Sequence, residues 1–126
     1  MSVIIRDIKF AGSKGSMKLE TLFDSGAGYS FIKKEFAISL GLIDKIPEHY
    51  QIETAVEGEF ADIDERIGLD FYLDNIRLSD EFYIFDKFSE KAIIGASTMQ
   101  KWRLELDFEE DKIYVDSRVT RLMLKL

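Results

Sequence analysis

The carboxylate with the most promising chemical setting is Asp24. It follows the apolar pair Leu22-Phe23 and opens the run Ser25-Gly26-Ala27-Gly28. A strand that ends this way delivers a carboxylate onto a turn. Ser25 offers a hydroxyl to anchor that turn, and Gly26, lacking a side chain, lets a second backbone or a substrate come close. A carboxylate so placed can take a proton from water or give one to a reacting group. Taken alone, Asp-Ser-Gly is an ordinary turn, because these residues dominate turns generally.

Other chemistries find little support. His49 is the single histidine and the chain has no cysteine. A Ser-His-Asp triad would have to use His49, and no Gly-x-Ser-x-Gly elbow accompanies it. Beside Glu48 and Tyr50 it reads as a surface or structural residue. Asp62, Asp64 and Glu65 are acidic neighbours, but a calcium loop needs glycine at its sixth position and Ile67 stands there. They read as the solvated face of a strand, and Glu109, Glu110 and Asp111 as an exposed turn. With no thiolate, no phosphate-cradling glycine loop and no metal-ligand spacing, neither metal nor cofactor is expected.

The elements that would position Asp24 are mostly strands. Residues 3–10 and 17–23 flank Gly12-Ser13-Lys14-Gly15 and read as a hairpin. A short strand is expected over 29–32 and a helix over 33–40, ended by Gly41. Strand patterns return from Tyr50: Ile67, Leu69, Phe71 and Leu73 alternate, residues 81–85 follow, and Ala92-Ile93-Ile94 is a short apolar run ended by Gly95. Residues 97–101 fit a single helical turn or two. Leu104, Leu106 and Phe108 alternate before a polar turn into 113–116, and the tail, residues 119–126, reads as a final strand. Trp102 is expected to pack in the core or at its rim. Many short strands with one short helix predict a mostly β barrel or sandwich.

Bulk properties agree with one domain spanning residues 1–126. Apolar residues make up 46% and aromatic residues 13%, enough for a core without disulfides. Charge appears by Arg6, too early for a secretory signal, and no apolar run approaches the about 20 residues of a membrane span. A cytoplasmic protein without a membrane partner is expected. The net charge is −7 and the basic residues are scattered, which argues against nucleic acid.

The order of motifs resembles the retropepsin-like aspartic proteases over nearly the whole chain. Leu22-Phe23-Asp24-Ser25-Gly26-Ala27 is similar to their active-site segment, with Ser25 where threonine is commoner. Tyr29-Ser30-Phe31-Ile32 and a glycine-ended helix follow, as in that family. Thr54-Ala55-Val56-Glu57-Gly58 resembles a flap tip, though without an aromatic substrate clamp. Ile93-Ile94-Gly95 resembles the family's second hallmark, a pair of apolar residues before a glycine and a short helix.

The resemblance implies a closed retropepsin-like β-barrel acting as half of a two-fold dimer. It implies catalysis by Asp24, Ser25 and Gly26, with the peptide or protein substrate held by Ala27, Gly28, Thr54, Ala55, Val56, Glu57 and Gly58. The chain has one such Asp-Ser-Gly segment, so the two carboxylates of an aspartic endopeptidase would come from a homodimer. The alternative reading is a dimerisation or peptide-binding module of the same fold with little catalysis. The tail strand is expected to help build the dimer sheet.

Overall fold

The computed structural model describes residues 3–54 and 57–118. The chain opens with a hairpin, β1 (Val3–Gly12) and β2 (Gly15–Asp24), paired in register from Val3↔Asp24 to Gly12↔Gly15. Period-two alternation sends Ile4, Ile8 and Phe10 of β1, and Leu19, Thr21 and Phe23 of β2, to one buried face. Gly12 is required by packing: a Cβ there would lie 2.3 Å from the Leu40 carbonyl oxygen. That carbonyl accepts a bond from the Lys14 N–H at 2.9 Å, so the hairpin turn clasps the end of the first helix.

After the Asp24 turn come β3 (Phe31–Ile32) and α1 (Lys34–Leu40). Helical spacing turns Ala37 and Leu40 inward and leaves Ile38 52% exposed. Gly41 closes the helix, its N–H donating to the Ala37 carbonyl at 3.0 Å.

Next is a long hairpin, β4 (Asp44–Glu53) and β5 (Phe60–Leu73). β4 begins six residues before the expected Tyr50, and its register breaks between Lys45 and Tyr50. Pro47 lies in that gap, where a residue without an N–H costs no ladder bond. β6 (Ile76–Ile84) returns along β5 through Asp74-Asn75. Both turn residues have positive φ, 49° and 64°, the backbone of a tight two-residue hairpin turn. β6 therefore starts five residues before the expected strand at 81.

β7 (Ala92–Ile94) inserts between β2, to which it is parallel, and β3, to which it is antiparallel. The sheet runs β1-β2-β7-β3-β6-β5, and β5 pairs again with β1 through Lys9↔Tyr72, Phe10↔Phe71 and Ala11↔Asp70. That last pairing closes a six-stranded, retropepsin-like barrel, with β4 attached outside β5. A second short helix, α2 (Ala96–Trp102), occupies the segment expected as a turn or two, so up to β9 the described residues carry two short helices where one was expected. Finally β8 (Glu105–Asp107) and β9 (Lys112–Tyr114) form a small hairpin, tied to β1 by the Arg6–Asp111 ion pair at 3.3 Å. The expected tail strand lies outside the described residues.

Phe10, Phe71 and Phe82 fill the barrel. Phe82 meets Phe10 edge-on at 5.5 Å and Phe71 edge-on at 6.0 Å, the geometry favoured by ring quadrupoles. A separate apolar group, Phe31, Ile46 and Ile63 with Ile52, Tyr83, Phe85, Phe88 and Ile93 against it, joins the β4–β5 hairpin to the barrel wall. Trp102 is buried and donates its indole N–H to the Ser79 carbonyl at 2.8 Å.

Candidate active site

Phe23 is fully buried, and the next residue, Asp24, leaves the barrel wall. Its carboxylate Oδ1 accepts the Gly26 N–H at 2.8 Å, and its carbonyl accepts the Ala27 N–H at 3.1 Å. This is the self-bonding that lets Asp lead a tight turn. The result is a half-buried carboxylate held at the start of an exposed loop of small residues, Ser25, Gly26 and Gly28.

What fixes the loop comes from the other end of the chain. The first N–H groups of α2 reach into it: Ala96 donates to the Ala27 carbonyl at 2.7 Å and Ser97 to the Gly28 carbonyl at 3.1 Å. Gly95 makes this approach possible, since a Cβ there would stand 2.2 Å from the Tyr29 carbonyl oxygen and 2.7 Å from that of Ala27. Beneath the loop the buried hydroxyls of Ser30 and Thr98 lie 2.5 Å apart. Ser30 Oγ also accepts the Gly95 N–H at 3.1 Å, and Thr98 donates to Asp80 Oδ2 at 2.7 Å. Lys101 stands 3.7 Å from the same carboxylate. The Ser30 and Thr98 hydroxyls are buried and both are partnered, the condition under which a polar network rigidifies, while Asp80 and Lys101 carry it outward to the solvent.

Asp24, Gly26, Ala27 and Gly28 line a cleft of about 560 Å³ with Thr54 of the β4–β5 hairpin, Gln51, Ile52, Glu53 and the aromatic residues Tyr29, Phe31, Phe85 and Phe88. The structure therefore brings the turn at Asp24 together with the base of the expected flap. Glu57 and Gly58 sit in the connecting turn, Gly58 at φ 78°, and Thr54 N–H bonds the Glu59 carbonyl at 2.8 Å. Ala55 and Val56 lie outside the described residues. Ser25 faces elsewhere, into a neighbouring hollow of about 640 Å³ with Met99, Gln100, Arg103 and Phe108. A larger cavity, about 740 Å³, lies away from Asp24 along β5, β6 and the hairpin turn at Gly12. It holds no turn-mounted carboxylate, and the cleft with Asp24 is the better chemical candidate.

His49 is exposed on β4, as are Asp62 and Asp64 on β5, while Glu65 pairs with Lys34 at 3.1 Å. Among the described residues no three His, Asp or Glu side chains gather as metal ligands. Tyr83, in contact with Tyr29 and Tyr50 at ring distances of 5.5 and 5.7 Å, has its phenol pushed above the ordinary range by burial, with Tyr50 and Glu81 adding to the effect. No helix among the described residues is long and apolar enough to cross a membrane.

A closed barrel with β7 threaded between β2 and β3, and a glycine-rich Asp turn held by a following helix, defines a retropepsin-like protein. The Ty3 transposon peptidase family matches residues 6–107, and the chain belongs to that family. Among solved structures it is similar to the retroviral protease-like domain of Ddi1 from Leishmania major, at 19% identity and a TM-score of 0.67, covering 92% of this chain and 90% of that one. It is also similar to Lpg0085, a protein of unknown function from Legionella pneumophila, at 10% identity and a TM-score of 0.50, covering 82% and 89%. Comparison with curated proteins returned no match.

Proposed function

We propose that residues 1–126 act as one subunit of an aspartic endopeptidase, with Asp24 meeting Asp24 of the partner subunit across a two-fold axis. The observation that carries this reading is the mounting of Asp24. Its carboxylate opens a glycine-rich loop braced by α2 and faces a cleft flanked by a β-hairpin. Membership of a peptidase family supports it independently. Two carboxylates about 3 Å apart cannot both ionise and share one proton. The ionised one takes a proton from water, and the water oxygen attacks the scissile carbonyl. The protonated one passes its proton to the carbonyl oxygen. The tetrahedral intermediate then collapses: the carboxyl that took the water proton gives it to the nitrogen as the C–N bond breaks, and the other carboxylate takes a proton from a hydroxyl of the intermediate. An acid and an amine leave, and the dyad is restored.

In this reading Ser25 and Gly26 complete the catalytic turn. Ala27, Gly28 and the hairpin tip from Thr54 through Ala55, Val56 and Glu57 to Gly58 offer backbone groups to an extended peptide, bound as an added strand. The dimer acts in the cytoplasm, without cofactor, metal, nucleic acid or membrane. The alternative, a binding module of the same fold, has no use for the carboxylate. The similarity to the Ddi1 domain fits either reading. Sedimentation at the enzyme concentrations where peptide is cleaved tests the dimer: a two-chain species is expected, and cleavage by a monomer overturns it.

A further inference from the structure

Resting on that reading, we infer that Asp80, which does not line the cleft of Asp24, is a positioning residue for the peptidase reaction: through Thr98 and Ser30 its carboxylate holds the Asp24 loop in its working shape. Period two along β6 puts Asp80 on the same face as Leu78 and Phe82, both all but fully buried, and its partner across the ladder is the buried Leu69. An apolar residue belongs at such a position, and a carboxylate there costs stability unless it is bonded. Departures of this kind from the packing pattern gather where function demands them.

Both oxygens of Asp80 are in use. Oδ1 accepts the Glu81 N–H at 2.8 Å and Oδ2 accepts the Thr98 hydroxyl at 2.7 Å. Thr98 has one hydroxyl hydrogen and spends it there, so in the 2.5 Å contact between the two hydroxyls Ser30 is the donor. Ser30 Oγ in turn accepts the Gly95 N–H at 3.1 Å. The chain of bonds therefore runs one way, from the Gly95 N–H through Ser30 and Thr98 to a carboxylate, which has no proton to send back. Gly95 immediately precedes Ala96 and Ser97, whose N–H groups grip the Ala27 and Gly28 carbonyls. The far end of α2 is moored one residue away on β6, where Trp102 Nε1 donates to the Ser79 carbonyl at 2.8 Å. Ser79 and Asp80 thus anchor the helix that braces the loop. A side-chain amide cannot take the place of the carboxylate. With its oxygen towards Thr98, its NH2 meets the Glu81 N–H, donor against donor. Turned over, the NH2 gives a hydrogen to Thr98, Thr98 gives its own to Ser30, and the buried Ser30 hydroxyl loses the acceptor it has now.

Asp80→Asn tests the inference by two readouts. On a peptide substrate kcat should fall about tenfold or more with KM changed by less than about twofold, because the reacting groups are displaced while the cleft stays intact. Amide hydrogen exchange at Ala96 and Ser97 should quicken about tenfold relative to the β1–β2 hairpin, the size of one lost buried bond. Asp70→Asn removes the same charge from the cavity that Asp80 lines, where Asp70 pairs with Arg77 at 3.8 Å, and should leave both readouts as in the native chain. Thr98→Val cuts the chain of bonds one link nearer the loop and should lower kcat by itself, after which Asp80→Asn should add little. Asp80→Glu keeps two acceptor oxygens and should recover much of the loss. Native kcat and exchange in Asp80→Asn, an equal effect of Asp70→Asn, or full additivity with Thr98→Val overturns the inference. Should Asp80→Asn fail to fold, Thr98→Val and Thr98→Ser read the same chain of bonds, and equal kcat and exchange in those two variants overturn it. A native chain that cleaves nothing removes the endopeptidase reading, and the exchange readout then still decides whether Asp80 holds the loop.

Discussion

Gly95 sits directly beneath the Asp24 loop, where a Cβ would come within 2.2 Å of the Tyr29 carbonyl oxygen. The residue therefore lets α2 dock its first N–H groups on Ala27 and Gly28. Gly95→Ala forces loop and helix apart. Overpacking of this kind costs about 1–3 kcal/mol. A lower urea midpoint is expected, with peptidase activity falling further than the unfolded fraction explains, because the loop itself is displaced. Urea titration and cleavage rate on the same preparation check both.

Thr98→Val keeps the shape of the side chain and removes the hydroxyl that bridges Ser30 and Asp80. Ser30 then loses a partner in a buried site. The loss of stability should be about 1–3 kcal/mol by urea denaturation. Thr98→Ser, which keeps the hydroxyl, should recover most of it.

Phe82→Ala opens a cavity among three fully buried rings and should cost about 3–5 kcal/mol. Ile38→Ala trims an apolar side chain on the exposed face of α1 and should stay within about 0.5 kcal/mol. Parallel urea curves distinguish a core position from a surface one.

Tyr83 gives a pH signature. Its folded-state phenol holds its proton more tightly than an ordinary one, chiefly through burial. The folded state thus binds the proton more strongly than the unfolded state. That contribution is full below the ordinary phenol pKa of about 10 and is lost as pH rises through the higher folded value. Tyr83→Phe should therefore flatten the fall in stability above about pH 10. Thermal melts across the alkaline range read this directly.

Much of this architecture is legible in local pattern. The β1–β2 hairpin follows from alternation around Gly12 and Gly15, the first helix from its glycine stop, and β7 from three apolar residues before Gly95. Asp24 stands out because an apolar strand runs straight into small turn residues. The β5–β6 turn is harder to see, since Asp74-Asn75 lacks the glycine that usually marks two positive φ values. A clue was present in the tolerance of Asp and Asn for that backbone. The early start of β4 is hidden by Pro47, which interrupts the pattern without ending the strand. Ser30, Thr98 and Asp80 are far apart in sequence and unremarkable in type, so only the barrel's closure brings them together. The same holds for Phe85 and Phe88, whose place at the cleft depends on β6 pairing beside β3.

Cleavage of a mixed peptide library by the native chain and by Asp24→Asn, scanned from about pH 4 to 7, tests the central claim most directly. Cleavage by the native chain that falls as the shared proton is lost, and that vanishes in Asp24→Asn, is the expected result. Cleavage that survives Asp24→Asn, or a folded, dimeric native chain that cleaves nothing at any pH, would contradict it.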